Sequence, residues 1–435
     1  MVQEFLRING GKKLSGTIEI NGNKNEALPV LAAVLLTDED VVIHNVPLIK
    51  DILTMIETLK DLGVSVEKIG NKSFKFNAAN IKTSVLNYEL ATKIRGSLLF
   101  VGPLIARLNQ AILPMPGGDK IGRRRIDTHI LGFEALGISA KLIENKEILF
   151  EKQNVELKDE IFIFLDEASV TATENILLYA ASVEKKIIIY NAACEPHVQN
   201  LANLLVKMGA KIDGIGTNKL TIYGNAKLKG TEHTILPDHI EIGSFITLAA
   251  VTNSNLTLKN CIPDYLYKIN QVFAMFNLHY EINENEIIIP DNQDLYIKND
   301  FGGAVPKIDD GPWPAFPADL TSVTVVLATQ AKGTVLIFEK MFEARLFFVD
   351  KLIAMGANIV LCDPHRVVVH GPNQLYGTML TSPDIRAGMS LVIAALAARG
   401  ESLVYNIQQI DRGYENIDIR LQNIGANIER KNTVV

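Results

Sequence analysis

The sequence predicts a mixed α/β protein built from six copies of one unit, with two helices and about four strands in each copy. Three observations support this fold: a recurring turn signal, apolar helices ahead of β-rich segments, and strands with alternating apolar residues. The turn signal lies in TLKDLGVSVEKIG, GFEALGISAKLIE, LLVKMGAKIDGIG, VFAMFNLHYEINE, KLIAMGANIVLCD and RLQNIGANIERKN. Its turn residues recur about every 72 residues, at Gly63, Gly137, Gly209, Asn277, Gly356 and Gly425. The six copies therefore fill the chain.

Two kinds of helix are predicted in each copy. The second helix ends at the Gly or Asn of the turn signal, because these residues adopt the left-handed conformation that closes a helix. The first helix is apolar nearly all round and precedes a β-rich run, as in ALPVLAAVLL before VVIHNV and GMSLVIAALAA before SLVYN. A helix that is apolar on every side is buried, whereas the second helices carry a charged face. This pattern puts helices inside and sheets outside.

A sixfold repeat is compatible with one ring, with a solenoid or with two domains of three copies each. Solenoid repeats usually have about 20 to 50 residues, so the longer unit favours compact domains. The polar segment 231–243, which contains Pro237, is a candidate crossing between the third and fourth copies. We expect a first domain over residues 22–234 and a second over residues 235–435.

Composition limits the possible partners. The 435 residues are 48% hydrophobic and 21% charged, enough to build two or three domains with large cores. The net charge of −6 provides no global positive field for nucleic acid or an anionic membrane, so any anion site must be local. The start of the chain lacks a signal-peptide pattern, and the longest apolar runs are about half a membrane span. Cys194, Cys261 and Cys362 lie far apart, which predicts buried thiols in a reducing cytoplasm.

Four places interrupt the repeat with charges that packing does not require. Asn23, Lys24 and Asn25 precede an apolar helix, where a helix N-terminus, amide donors and a lysine favour an anion. The other places are PMPGGDKIGRRRID with Arg95 upstream, GPWPAFPADL with Asp319 and then Arg345, and the pair SPDIRAG and QIDRGYENI with Asp384, Arg386 and Arg412. Each place alone is explained by helix capping or a solvated loop. Their recurrence at equivalent helix starts on an acidic chain favours a shared anion site.

These segments also resemble a known family. NGNKNEALPVLAAVLL, PGGDKIGRRRIDTHILGFEALG, EPHVQNLANLLVKMGAKI, FPADL, MFEARLFFVDKLIAMGA and IDRGYENIDIRLQNIGANIER are similar, in order and over essentially the whole chain, to the UDP-N-acetylglucosamine 1-carboxyvinyltransferases. The sister enzyme, 5-enolpyruvylshikimate-3-phosphate synthase, shares the repeat but differs at the first lysine motif. The resemblance implies a two-domain, inside-out α/β barrel with three repeats per domain, in which residues 1–21 pack with the second domain.

The resemblance implies an enolpyruvyl transferase in peptidoglycan synthesis. Such enzymes move enolpyruvate from phosphoenolpyruvate to the 3-hydroxyl of UDP-N-acetylglucosamine by addition and elimination, with release of phosphate. The path needs a general acid, a base and clamps for phosphate and carboxylate. The resemblance also implies small-molecule substrates, no metal, no cofactor, no nucleic-acid or membrane partner, and a cytoplasmic location.

Each charged residue matches a role in the family. Lys24, Arg124 and Arg412 match phosphate binders, and Arg345 and Arg386 look like the pair that grips the enolpyruvyl carboxylate, because a guanidinium fork suits a planar carboxylate. Asp319 matches the carboxylate that contacts the attacking hydroxyl. The catalytic set implied by the resemblance is Lys24, Asp119, Asp319 and Arg412. The further substrate-binding positions are Asn25, Arg95, Arg125, Ile126, Asp127, Thr128, Ser169, Val170, Met341 and Asp384.

Asp119 departs from the common family pattern, since most members carry there the cysteine that donates the proton. A carboxylic acid can serve, because general acid catalysis requires a proton at the right point and no sulfur chemistry. The neighbouring basic residues favour the charged form, so we expect Asp119 to become a competent acid mainly when phosphoenolpyruvate is bound. The inhibitor fosfomycin alkylates the cysteine, and the aspartate therefore predicts intrinsic resistance.

The nucleotide-binding positions depart further. Glu167 stands where the family often has a lysine, Thr171 replaces a glycine, and Arg125 replaces a usual proline and is a candidate for the missing positive charge. Two alternatives therefore stay open: an enolpyruvyl transferase for another hydroxyl acceptor, and an inert repeat protein that only binds a nucleotide sugar. An inert module has no use for so many convergent charges, and they are Lys24, Asp119, Arg124, Asp319, Arg345, Arg386 and Arg412.

Overall fold

The computed structural model describes residues 2–119 and 121–434, which fall into two compact units. The first unit comprises residues 22–118 and 124–236. The second unit comprises residues 1–21, 119–123 and 237–435. The change of unit at residues 236 and 237 lies within the segment 231–243 that the sequence indicates as a crossing.

Strands and helices alternate along the chain. The strands are β1 (Val2–Asn9), β2 (Ser15–Glu19), β3 (Val41–His44), β4 (Ser65–Lys68), β5 (Phe74–Asn77), β6 (Gln110–Pro114), β7 (Ile138–Leu142), β8 (Glu147–Lys152), β9 (Glu160–Phe164), β10 (Lys186–Tyr190), β11 (Lys211–Asp213), β12 (Lys219–Tyr223), β13 (Glu232–Thr234), β14 (Asn255–Lys259), β15 (Glu281–Asn283), β16 (Glu286–Ile289), β17 (Lys307–Asp309), β18 (Gly333–Phe338), β19 (Asn358–Asp363), β20 (Arg366–Gly371), β21 (Met379–Thr381), β22 (Glu401–Tyr405) and β23 (Asn427–Val434). The α-helices are α1 (Lys24–Ala33), α2 (Lys50–Leu62), α3 (Tyr88–Ala91), α4 (Val101–Leu108), α5 (Asp127–Ala135), α6 (Val170–Ala180), α7 (Pro196–Lys207), α8 (His239–Val251), α9 (Tyr267–Ala274), α10 (Thr321–Gln330), α11 (Val349–Ala354), α12 (Ile385–Ala397) and α13 (Ile417–Asn423).

Each unit contains three sheets with a shared plan. In the sheet β11-β12-β10-β9, strand β10 pairs antiparallel with β12 and parallel with β9. In the sheet β17-β18-β20-β19, strand β18 likewise pairs antiparallel with β20 and parallel with β17. Five sheets have four strands. In the sheet β6-β8-β7, a single parallel bridge between Val85 and Ile112 stands in place of the fourth strand. The mixed α/β fold with about four strands per repeat is confirmed. In the described part of the chain the six sheets are separate, and none closes into a barrel.

The N-terminal strands complete two sheets of the second unit. Strand β1 pairs antiparallel with β22 on one side and β23 on the other. Strand β2 pairs in parallel with β14. The N-terminal segment is therefore an integral part of the second unit, as the resemblance implies.

The helices that the sequence predicts to be buried form the two cores. In the second unit, nearly every residue of α8, α10 and α12 is buried, and these helices pack on one another. In the first unit, α1 and α6 are largely enclosed, whereas α4 buries residues 101–105 and is half-buried at its C-terminal end. By contrast, α2 buries one face, with Met55 and Leu59, and exposes Glu57 and Lys60 on the other. The predicted division between enclosed and amphipathic helices is confirmed.

The predicted turn residues close the second helices in the left-handed conformation. All six have positive φ values, including Asn277 at 58° and Gly356 at 104°. At Gly63 the backbone N–H bonds to the carbonyl groups of Leu59 and Lys60, and an added Cβ would lie 2.5 Å from the Asn80 carbonyl oxygen. Glycine is needed there for both conformation and space.

One cysteine prediction is wrong. Cys261 is buried and Cys194 is partly buried, but Cys362 is exposed. Cys362 lies on the edge strand β19, where the register shifts between Leu361 and Asp363 and disrupts the alternation of inward and outward side chains. Among the described residues, no helix combines the length and apolar character needed to cross a membrane.

Candidate active site

The start of α1 holds a buried lysine in the first unit. The Asn23 side-chain oxygen accepts hydrogen bonds from the backbone N–H groups of Asn25 (2.8 Å) and Glu26 (3.2 Å), which fixes the first turn. Lys24 Nζ lies 2.9 Å from the Oδ2 atom of Asp51, in the first turn of α2, and both residues are buried. This ion pair holds an ammonium group at a helix N-terminus, where the helix dipole adds to its attraction for an anion.

Two arginines lie together in the same unit. Arg95 starts the 3-10 segment Arg95–Phe100, and its Nη2 atom donates to the Arg125 carbonyl at 2.7 Å. Burial and the charge of Arg124 lower the pKa of Arg95 to about 10, while Glu167 opposes this shift. A Cβ at Gly118 would lie 3.0 Å from Arg95 Cβ and 3.3 Å from Arg124 Nη1. The glycine thus lets the chain pass close to two mutually repelling guanidinium groups, which an anion would stabilise.

The nucleotide-binding positions implied by the resemblance form a network of charges. Arg125 Nε lies 3.1 Å from Asp127 Oδ2, and its Nη2 lies 3.5 Å from Asp166 Oδ2. The buried Thr128 hydroxyl donates to Asp166 Oδ1 at 2.7 Å and lies 3.3 Å from Glu167 Oε1. The charge of Arg125 is therefore shared with two carboxylates. Ile126, half-buried, precedes α5 in this segment.

A buried histidine that the sequence reasoning missed connects α5 to α6. Ser169 caps α6, which begins at Val170, and Thr171 Oγ1 lies 3.2 Å from His129 Nε2. Burial, with a smaller contribution from Arg95, lowers the pKa of His129 to about 3, so the ring is neutral. The side-chain amide nitrogen of Asn175 contacts Nδ1 at 3.2 Å as a donor, which leaves the ring proton on Nε2 to donate to Thr171. Thr171, at a glycine position of the family, thus completes this network.

In the second unit, Asp319 lies between two buried arginines. Its Oδ1 atom accepts from Arg345 Nη2 at 3.0 Å, and its Oδ2 atom accepts from Arg386 Nε at 3.0 Å and Nη2 at 2.9 Å. The arginine side chains are only 3% and 5% exposed, whereas that of Asp319 is 26% exposed. The two guanidinium groups are already arranged around one planar carboxylate.

Asp384 fixes the position of Arg386. It caps α12 by accepting from the backbone N–H groups of Arg386 (2.8 Å) and Ala387 (3.0 Å). Burial raises the pKa of Asp384, and Arg345 opposes this shift. Burial disfavours the charged form of Arg386, but Asp319 and Tyr414 outweigh it and raise its pKa. Arg386 therefore stays charged although it is buried.

The carboxylate at the usual cysteine position is paired. Asp119 Oδ1 lies 2.5 Å from Arg412 Nη1, which also donates to Gln409 Oε1 at 2.8 Å, and both charged side chains are largely buried. The Ala344 N–H donates to the Ile121 carbonyl at 3.1 Å, which ties the segment of Asp119 to the residue before Arg345. Asp119 and Arg412 are thereby held in the same unit as Asp319, Arg345, Asp384 and Arg386.

Two other predicted positions lie near these groups in sequence. Met341 is exposed between β18 and the 3-10 segment Arg345–Phe348. The partly buried Asn25 lies in the first turn of α1. For both residues the assignment as substrate-binding residues stays a prediction.

Comparisons with known proteins follow the whole length of the chain. Residues 8–421 match the family model described as EPSP synthase (3-phosphoshikimate 1-carboxyvinyltransferase). A protein of Treponema denticola named UDP-N-acetylglucosamine 1-carboxyvinyltransferase is 51% identical and covers 99% of this chain and 100% of its own. A protein of the same name from Bradyrhizobium diazoefficiens is 50% identical, with 97% of each chain covered. The crystal structure of the enolpyruvyl transferase NikO from Streptomyces tendae has the same fold, with a TM-score of 0.88 at 23% identity over 100% of both chains.

The fold is thus that of an enolpyruvyl transferase. The chain belongs to the EPSP synthase family. Its full-length relatives at about 50% identity carry the name UDP-N-acetylglucosamine 1-carboxyvinyltransferase.

Proposed function

We propose that the protein transfers the enolpyruvyl group of phosphoenolpyruvate to the 3-hydroxyl of UDP-N-acetylglucosamine, with release of phosphate, as the first committed step of peptidoglycan synthesis. The observation that carries the proposal is the position of Asp319 between Arg345 and Arg386. Two buried, charged guanidinium groups suit the planar carboxylate of enolpyruvate, and an adjacent aspartate suits a hydroxyl that must lose its proton. The names of the full-length relatives support the same acceptor.

The reaction follows from these roles. Asp119 gives a proton to the methylene carbon of phosphoenolpyruvate, which makes the neighbouring carbon electrophilic. The acceptor oxygen forms a bond to that carbon while its proton passes to Asp319, giving a tetrahedral intermediate. The methyl carbon then returns a proton to the Asp119 carboxylate while the bond from carbon to the phosphate oxygen breaks, which restores the double bond. The proton held by Asp319 passes to the departing phosphate. Arg412, which the resemblance places among the phosphate binders, stabilises the phosphate as it leaves.

The pairing of Asp119 with Arg412 makes the acid dependent on substrate. Before substrate binds, Arg412 Nη1 donates to Asp119 Oδ1 at 2.5 Å. The phosphate of phosphoenolpyruvate carries more negative charge than one carboxylate and competes for Arg412. Binding of phosphoenolpyruvate thus releases Asp119 from Arg412, so that its carboxyl group can face the methylene carbon.

The proposal extends to domains and location. We propose residues 22–234 as the first enolpyruvyl transferase domain, except that residues 119–123 belong to the second compact unit, and residues 1–21 with 235–435 as the second domain. We place the reaction in the cytoplasm, in keeping with the sequence expectation of reduced thiols. The substrates are small molecules.

A second acceptor is favoured by one observation. Asp166 and Glu167 lie at the Thr128 hydroxyl, so carboxylates stand where a nucleotide diphosphate would be expected to meet positive charge. This arrangement favours an acceptor whose phosphate contacts differ from those of UDP-N-acetylglucosamine.

Release of phosphate separates these functions. Purified protein is mixed with phosphoenolpyruvate and either UDP-N-acetylglucosamine, another nucleotide sugar or no acceptor. Rapid release with UDP-N-acetylglucosamine, together with an enolpyruvyl product of the expected mass, supports the proposal. Release with a different acceptor alone points to the second function, and no release with any acceptor contradicts enolpyruvyl transfer.

A further inference from the structure

Two buried carboxyl groups lie behind Arg345. Strands β17 and β18 are parallel, with Asp309 opposite Phe338, so the next residues, Asp310 and Glu339, leave the same end of the sheet side by side. Their exposures are 1% and 0%. The Oε2 atom of Glu339 lies 3.7 Å from Arg345 Nε. Arg345 therefore faces Glu339, Asp310 leaves the sheet beside Glu339, and the proposed reaction uses neither carboxyl group.

The hydrogen bonds of these groups are incomplete unless they share a proton. Glu339 Oε1 accepts from the Phe342 N–H at 3.2 Å, and Asp310 Oδ1 accepts from the Lys340 N–H. Among the described residues, the second oxygens, Glu339 Oε2 and Asp310 Oδ2, have no hydrogen-bond donor. Buried oxygens without donors are costly, and two carboxyl groups can bond to each other only when one is protonated.

The surroundings keep that proton on the pair. Burial raises the pKa of Glu339 to about 9; Arg345 opposes this shift, and the hydrogen bond and charge of Asp310 add to it. The Thr321 hydroxyl at the start of α10 also opposes the shift, and the His365 ring contacts the Glu339 carbonyl at 2.6 Å. The carboxylates of Asp319 and Asp384 influence Glu339 only indirectly, through their charge interactions with Arg345. At neutral pH the pair therefore carries one proton and one negative charge.

We infer that Glu339 and Asp310 form a proton-sharing acid pair that positions the Arg345 guanidinium for the carboxylate of phosphoenolpyruvate. The inference rests on the proposed role of Arg345. One negative charge balances and orients the buried arginine from its Nε side, so that Nη2 can pass from Asp319 to the substrate carboxylate. A second negative charge would compete with the substrate carboxylate. Glu339 is thus a positioning residue that acts through Arg345.

Amide and alanine variants separate positioning from simple packing. In Glu339→Gln the amide keeps the hydrogen bond to Asp310, so we expect kcat and the KM for phosphoenolpyruvate within about twofold of the parent at pH 7. Glu339→Ala removes the partner of both Asp310 and Arg345, and we expect this KM to rise about tenfold with a smaller change in kcat. Asp350→Asn, which removes an exposed carboxylate paired with Lys351, is the matched control.

The pH profile tests the shared proton. Between pH 7 and 10 the KM of the parent for phosphoenolpyruvate should rise by about tenfold relative to Glu339→Gln, because only the parent gains the second charge. Asp310→Asn should remove the same rise, because only one carboxyl group is then left beside Arg345. The ratio of the parent KM to the variant KM at each pH removes the effect of titrating groups that both proteins share. A flat ratio, or a Glu339→Gln defect equal to that of Glu339→Ala, would overturn the inference.

Thermal unfolding gives a readout that needs no activity. Glu339 keeps its proton in the folded protein well above the pH at which the unfolded chain releases it, so the folded state binds more protons across that window. Stability of the parent should therefore fall relative to Glu339→Gln as pH rises from about 5 to about 9. A melting difference that does not grow over this range contradicts the acid pair. A parent that releases no phosphate, yet shows the growing difference, contradicts the proposed function alone.

Discussion

Replacing Asp319 with asparagine should reduce turnover while strengthening the binding of phosphoenolpyruvate. The carboxylate has two functions in the proposal: it accepts the hydroxyl proton, and it neutralises Arg345 and Arg386 in the ligand-free protein. Asparagine removes both the base and the negative charge but keeps the size of the side chain. The two guanidinium groups then lose the internal anion that competes with the substrate carboxylate.

The structure sets the size of each effect. Loss of a general base lowers turnover by about 10² to 10⁴. Asp319 makes three charge-assisted contacts of 2.9–3.0 Å with the two arginines. Because its side chain is 26% exposed, solvent weakens the competition between its carboxylate and the substrate carboxylate for these arginines. Removing this competition should strengthen the binding of phosphoenolpyruvate by about 1 kcal/mol, which corresponds to a fall of about fivefold in its dissociation constant. Stability should fall by about 1–2 kcal/mol, since the arginines keep other partners.

Two assays separate these effects. Phosphate release gives turnover, and calorimetric titration of phosphoenolpyruvate in the absence of acceptor gives affinity. Asp319→Glu is the matched control, because it retains the charge and base. Near-normal turnover in Asp319→Asn would refute its assignment as the base. Weaker binding of phosphoenolpyruvate by this variant would refute the competition between Asp319 and the substrate carboxylate.

Three further expectations concern other groups. Fosfomycin should leave the parent active and inactivate Asp119→Cys with a mass adduct, because a carboxylate is a poorer nucleophile than a thiolate; an adduct on the parent contradicts this. Asp51→Asn leaves the buried ammonium of Lys24 without its carboxylate and should cost about 3 kcal/mol in denaturant unfolding, against no measurable change if the pair is unimportant. His129→Asn should flatten the loss of stability on acidification from pH 6.5 towards pH 3, where the unfolded chain takes up a proton that the buried imidazole of the parent refuses. An unchanged slope contradicts a neutral His129.

Much of the fold could be predicted because its signals are local. A glycine or asparagine that ends a helix and an all-apolar helix ahead of a strand each depend on a few consecutive residues, and their recurrence defined the repeat. The bridge at Val85 and Ile112, which replaces a full strand, had no such signal. The exposure of Cys362 depends on a bulge in an edge strand, which the sequence pattern did not reveal.

The candidate site was predictable only in part. Charges at helix starts, such as Lys24 and Arg386, stand out because packing does not require them. The residues that pair with these charges do not stand out in the sequence. Asp51, which pairs with Lys24, has an ordinary place in the first turn of an amphipathic helix. The meeting of Asp310 with Glu339 depends on the register of two parallel strands that are separated in sequence by helix α10. A charged residue directly after the apolar strand GTVLIF was the one available signal for Glu339.

The most direct test of the account is the rate of phosphate release by Asp119→Asn with phosphoenolpyruvate and UDP-N-acetylglucosamine. Asparagine cannot donate a carboxyl proton, so turnover should fall by about 10² to 10⁴ while the sugar nucleotide still binds. Asp119→Cys should retain turnover and extend it to higher pH, because a thiol holds its proton to higher pH than a carboxylic acid does. Near-normal turnover in Asp119→Asn would contradict the account, because another group would then protonate the enolpyruvate.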